Sequence, residues 1–240
     1  MKKLFLYYVT VILFFLPANA YAMHIAEGFL PVKYSIFYFL LCIPFIYKGI
    51  KDIKRSTIKN KDIKMLLGLV AAFCFVLSAL KLPSITGSSS HPTGTGFGTI
   101  LFGPFVMSVI SMIVLIFQAI FLAHGGITTL GANTFSMGIV GPVVSFLVYN
   151  LYKNKNKKVS IFLAAMLGDL ATYTVTALQL ALAFPSTNGG IITSLLKFLS
   201  IFSLTQIPLA IIEGIITVVI FDFIEKHAAA EMRALEDIKQ

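Results

Sequence analysis

The chain has 240 residues, of which 58% are hydrophobic, with a mean hydropathy of +0.90 and a formal net charge of +9. So much apolar surface excludes an ordinary soluble domain of this size. The positive charge does not point to nucleic acid, because most basic residues sit in two short loops between apolar stretches. Those stretches are continuously apolar and do not alternate, so helices of ~20 residues, not barrel strands, are expected to cross a bilayer.

At the start, Lys2 and Lys3 precede an apolar run over 4–16, and Ala20-Tyr21-Ala22 has the small-x-small spacing of a cleavage site. Residues 1–22 therefore read as a signal peptide. Cleavage after Ala22 would leave Met23-His24-Ile25-Ala26-Glu27-Gly28 as a new start outside the cytoplasm. An uncleaved anchor helix is the alternative.

Residues 23–225 read as one polytopic domain and 226–240 as a cytoplasmic tail. The segment 31–50 crosses inward and meets a loop, 48–64, with seven basic residues against two aspartates. The loop 153–158 has four basic residues and no acid. The positive-inside rule puts both in the cytoplasm. The connections 83–98, 125–133 and 185–190 carry no Asp, Glu, Lys or Arg and are placed outside. Segment 65–82 crosses outward, 134–151 inward and 159–184 outward. Segment 191–223 returns as a surface piece followed by a span near Pro208. Parity then requires an even number of crossings between the His91 loop and residue 134. The stretch 98–123 is accordingly expected to hold two short helices or a re-entrant pair, broken between Gly103-Pro104 and Ser111. The expected fold is all-α, a membrane bundle of about seven transmembrane helices after signal removal. It lies in a bacterial-type cell membrane with the mature N-terminus outside and the C-terminus in the cytoplasm. Cys42 and Cys74 lie inside apolar segments and read as packing residues.

Of the four histidines, His24, His91 and His124 fall at the outer face, and His227 falls in the tail. A free amine followed by His at position two chelates through the Met23 amine, the His24 amide and the His24 Nδ1. A fourth nitrogen from His91 would complete a square-planar site, which suits Ni(II), Cu(II) and low-spin Co(II) better than Zn(II). His91 stands in an uncharged run, Thr86-Gly87-Ser88-Ser89-Ser90-His91-Pro92-Thr93-Gly94-Thr95-Gly96-Phe97-Gly98, whose glycines permit close approach. His124, in Ala123-His124-Gly125-Gly126, reads first as a hydrogen-bonded packing residue, with an extra ligand or a supporting role as the alternatives. Asp169 and Glu213 are intramembrane acids and therefore functional candidates. A helix–helix hydrogen bond or a partner contact is expected of them before a metal path. No phosphate-binding GxxxxGK[ST] loop, HExxH helix or GxSxG elbow is present, so ATP hydrolysis by that loop, zinc proteolysis and serine hydrolysis are not expected.

The start Met23-His24-Ile25-Ala26-Glu27-Gly28-Phe29-Leu30-Pro31 resembles the mature N-terminus of the CbiM family, the cobalt-specific substrate-binding subunits of energy-coupling factor (ECF) transporters. The similarity continues through Leu77 to Ser84, the Gly87 to Gly98 loop, His124-Gly125-Gly126, Gly131-Ala132-Asn133, Leu167-Gly168-Asp169 and Gln206-Ile207-Pro208-Leu209-Ala210. It implies a non-enzymatic subunit that captures Co2+ for cobalamin biosynthesis. Its partners would be a transmembrane coupling subunit, ATP-binding subunits and a small accessory membrane subunit. It also implies metal ligation by Met23, His24 and His91. Related nickel subunits share the Met-His start, so a nickel-specific subunit (Ni2+ as substrate) is the alternative; Ser90-His91-Pro92-Thr93-Gly94 looks like the cobalt type. Many relatives have a cysteine where Ser89 stands here. An intramembrane metalloenzyme and a passive structural protein are the rivals from other classes.

Overall fold

A computed structural model describes residues 21–22, 24–83, 88–229, 231–233 and 235. Its helices are α1 (Val32–Lys59), α2 (Ile63–Ala79), α3 (Thr95–Phe102), α4 (Pro104–Phe121) and α5 (Leu130–Asn133). A π-helical turn, Thr134–Val140, carries α5 into α6 (Gly141–Tyr152), followed by α7 (Lys157–Ala183) and α8 (Gly190–His227). Pro104–Leu122, Leu130–Tyr152, Lys157–Ala183 and Gly190–His227 are long and apolar enough to cross a membrane.

The burial pattern is that of a lipid-embedded bundle. Val32, Leu151, Ile192 and Leu204 face outward, while Ser111, Gln118, Asp169, Gln206, Glu213 and Thr217 are buried. In water this arrangement would be costly; in hydrocarbon the apolar exterior is free and the polar groups must find partners inside. The chain is a multi-pass membrane protein.

The stretch 98–123 is broken at Gly103, whose φ of +82° ends α3, and Pro104 starts α4 at a position where its missing N–H does no harm. Only the first of the two helices is short: α3 has 8 residues and α4 has 18. α3 is wholly interior, with Thr95 through Leu101 buried. Gly96 packs directly on the backbone of Ala165, so a Cβ there would stand 2.6 Å from the Ala165 Cα. Phe97, Ile100 and Leu101 join Ile63, Leu66 and Val70 of α2, Met107 and Ile110 of α4, and Ile161 of α7 in the main core. Beyond the far end of α3, a cavity of about 440 Å³ is lined by Thr99, Gly103, Tyr149 and Lys153, among others.

Three expectations need correction, besides that of a basic loop over 48–64, which is mostly helix because α1 continues to Lys59 and α2 begins at Ile63. First, helix begins at Leu130, not 134, so Gly131 to Asn133 belong to a helix and not to the outer connection. Gly131 allows this, because a Cβ there would meet the Phe39 backbone N at 2.5 Å; a side chain would force α1 away. Second, 191–223 is not a surface piece plus a span. α8 runs unbroken for 38 residues with Pro208 inside it. Proline removes one backbone bond, but Gln206, Leu209 and Ala210 are packed in the bundle on either side, which holds the helix together. Third, the all-α expectation misses a small sheet in the order β1-β3-β2. It consists of β1 (Tyr21–Ala22), β2 (Leu82–Pro83) and β3 (Ser88–Ser90). β1 is parallel to β3, with Tyr21 opposite Ser88. The Gly/Ser-rich run has no helical periodicity, so its backbone groups pair laterally. Of the expected signal peptide, residues 1–20 lie outside the described residues, as do 236–240 of the expected tail.

Candidate metal centre

Three histidines from distant parts of the sequence meet at one end of the bundle. One ligating atom each from His24, His91 and His124 lies within 4.8 Å of the others, and all three residues are buried. The His24 and His91 rings stack at 4.6 Å between centroids, and His124 lies 4.5 Å from His24 and 4.9 Å from His91.

His24 is placed by its neighbour. The Ile25 N–H donates to Asn133 Oδ1 at 2.8 Å, and the Ile25 carbonyl accepts from Asn133 Nδ2 at 3.0 Å and Thr129 Oγ1 at 2.6 Å. One amide side chain thus copies the pairing of a strand. Gly28 N donates to Thr128 Oγ1 at 2.9 Å and extends the attachment. Gly126 closes against the backbone of Glu27, where a Cβ would stand 2.7 Å from the Glu27 N. His124 is set at the end of α4 by its N–H to the Gln118 carbonyl, and it is flanked by the positive φ angles of Ala123 (46°) and Gly125 (76°). A non-glycine residue in that region is strained and is held there by its surroundings.

His91 Nδ1 lies 2.9 Å from the Pro92 carbonyl, which can only accept, so that nitrogen carries the proton. Nε2 therefore presents its lone pair, and it lies 2.8 Å from His24 Nδ1. An N–H fixed on a backbone carbonyl is the usual arrangement behind a ligating imidazole. In a square-planar site, bonds of ~2.0 Å at right angles set adjacent nitrogens ~2.8 Å apart, the spacing of these two atoms, whereas a tetrahedral ion would set them ~3.3 Å apart. His24 Nε2 and His124 Nε2 are buried without a hydrogen-bond partner. Burial pushes His24 well below its usual pKa, with repulsion from His124 and His91 added. It pushes His91 down to about 4 and His124 to about 2. Neutral imidazoles are the form that ligates a metal.

Of the residues singled out in the sequence, the structure brings His24 and His91 into contact and adds His124 as the third member. Met23 lies outside the described residues, as does the Ser89 side chain. His227 is remote, stacked on Phe223 near the end of α8. Cys42 and Cys74 are free and buried, each donating to a glycine carbonyl, as packing residues would. Asp169 and Glu213 touch the loop that carries His91. Asp169 does so through Gln206, whose Nε2 lies 2.6 Å from Asp169 Oδ2 and 3.2 Å from the His91 carbonyl. Sequence reasoning misses Asn133, Thr129 and Gln206 as site residues. The available signal is an uncharged polar side chain in an otherwise apolar stretch.

The class defined by the fold and site is a multi-pass helical membrane protein with a buried imidazole cluster at one end that could hold a metal ion. The family described as "CbiM: Cobalt uptake substrate-specific transmembrane region" matches residues 24–231, and the chain belongs to it. The cobalt transport protein CbiM of Clostridium tetani (strain Massachusetts / E88) is 61% identical over 239 residues, covering 100% of this chain and 99% of that one. That of Desulforamulus reducens is 60% identical, covering 90% of this chain and 86% of the other. A crystal structure of a truncated transition metal transporter superposes with a TM-score of 0.74 at 25% identity, covering 85% of this chain and 99% of that one.

Proposed function

We propose that this chain is the substrate-capture membrane subunit of an ATP-driven, ECF-type cobalt(II) importer that supplies cobalamin biosynthesis. The observation that carries the reading is the 2.8 Å approach of His24 Nδ1 to His91 Nε2 in a buried pocket. The names of the relatives support cobalt as the ion. In this reading, cleavage after Ala22 frees the Met23 amine. That amine, the His24 amide, His24 Nδ1 and His91 Nε2 then surround Co(II). The chain contributes no ATPase site; ATP-binding subunits, a transmembrane coupling subunit and a small accessory subunit supply the work.

The mature N-terminus and the histidines are outside and the basic loops are in the cytoplasm. The break at Gly103 supports a short descending α3 followed by an ascending α4, which keeps the parity of about seven membrane helices. Release inward requires a second state with weaker affinity for the ion.

The test is to purify the chain from membranes, determine its first residue by mass spectrometry, and titrate Co(II) and Ni(II) into it beside His91→Ala. A Met23 start with Co(II) binding lost in the variant is the expected result. An intact Met1 with unchanged binding in the variant would overturn the amine chelate. Tighter, faster uptake of Ni(II) than Co(II) by membranes holding the whole complex would favour the nickel subunit.

A further inference from the structure

Outside the histidines, the most strongly engaged buried ionisable group is Glu213, in the middle of α8 and 0% exposed. Among the described residues its carboxylate pairs with no cation. It accepts from Thr93 N at 2.6 Å, Gly94 N at 2.9 Å and Thr93 Oγ1 at 3.1 Å. α3 begins at this point without any side-chain cap of its own, because the cap position is Gly94 with a φ of +70°. Glu213 therefore supplies, from another helix, the acceptor for the two N–H groups that lead into α3, those of Thr93 and Gly94, while the Thr95 N–H donates to Thr93 Oγ1 at 3.4 Å. Two residues before Thr93 stands His91. The same helix holds the loop twice more: Thr205 Oγ1 lies 2.8 Å from Ser90 Oγ, and Gln206 Nε2 donates to the His91 carbonyl. α8 thus grips residues 90–94 at three points along its length, and the Cys74 thiol of α2 adds a contact on the Gly94 carbonyl.

We propose that Glu213 is a positioning residue for the metal site: fixed on α8, it holds Thr93 and Gly94 so that the His91 imidazole faces His24, and the grip of the loop on the ion follows α8. This rests on the capture-site reading above. A charge-assisted hydrogen bond to a backbone N–H in an interior is stronger than a neutral one, and two converge here, with the Thr93 hydroxyl as a third donor. An amide at position 213 would keep one acceptor and turn a donor toward the loop donors.

The experiment uses the full chain in lipid nanodiscs. Co(II) dissociation is followed by transfer to an excess of chelator, together with the visible spectrum of bound Co(II) and metal-free thermal unfolding. Wild type is compared with Glu213→Gln, Thr93→Val and His91→Ala. Dissociation about tenfold faster in Glu213→Gln, and a few-fold faster in Thr93→Val, is expected from loss of one or two such bonds. An altered Co(II) spectrum should accompany it in both. A role in folding alone would lower the unfolding temperature and leave the spectrum of the bound ion unchanged; that result overturns the proposal. If Glu213→Gln does not fold, Thr93→Val decides by the same criteria. Wild-type rates and spectra in both variants, with binding lost in His91→Ala, would remove the positioning role and leave the capture site standing. Equal binding by wild type and His91→Ala would overturn the capture site and this inference with it.

Discussion

His24 and His91 meet at one point but are held by different parts of the molecule. The His24 segment is attached to the start of the Leu130–Tyr152 column through Asn133 and Thr129. The His91 loop is attached to α8 through Thr205, Gln206 and Glu213. The first attachment imitates a strand pair and is local. The second is spread along two turns of a helix that runs the height of the bundle. Apart from the β1–β3 pairing, which joins residues 21–22 to 88–89, the site is therefore a seam: each half has its own support, and an ion would bridge the two.

That contrast can be broken from either side. The largest effect is expected at Asn133. Asn133→Leu leaves both the N–H and the carbonyl of Ile25 without their amide partner, in a place where water does not replace it. Co(II) affinity should fall about 100-fold by titration calorimetry, while the His91 loop keeps its bonds to α8. A smaller loss is expected from Gln206→Leu, which frees the His91 carbonyl and leaves Asp169 without its donor. Affinity should fall about tenfold, and the double variant Gln206→Leu/Asp169→Leu should unfold at a higher temperature than Gln206→Leu alone, because the stranded acid is gone.

A further effect is one of pH on the metal-free protein. Above pH 6.5 the His91 ring is neutral both folded and unfolded, so its burial carries no penalty. Between pH 6.5 and about 4 the unfolded chain takes up a proton that the folded ring refuses. Stability should therefore fall with pH in that window, by about 1.4 kcal/mol per unit for one such ring. Denaturant unfolding at a series of pH values would measure it, and His91→Ala should reduce the slope.

The bundle and the break near Gly103-Pro104 are legible in the sequence because each depends on local chemistry: apolar length and a Gly-Pro pair. His24 and His91 stand out in the sequence too, the one beside an expected cleavage site and the other in an uncharged Gly/Ser run. His124 reads first as packing, because its membership depends on the backbone angles at Ala123 and Gly125, which no periodicity announces. Asn133 is equally hidden. Its partner Ile25 is 108 residues away, and only the folded chain makes the amide a clamp. Pro208 misleads in the other direction: as a local signal it ends a helix, and tertiary packing overrides it.

The shortness of α3 has an electrical consequence. With the cavity reaching up to Thr99, the regular structure between it and the His91 loop is the first four residues of α3, Thr95 to Gly98, ~6 Å of helix. In the proposed orientation the cavity opens toward the basic loops, so the membrane voltage would drop mainly over that distance and not over the ~30 Å of the hydrocarbon core. Each elementary charge crossing it would gain ~2.3 kcal/mol per 100 mV. For a divalent ion leaving the histidines, the membrane potential itself would then pull across the one step where the protein is thinnest.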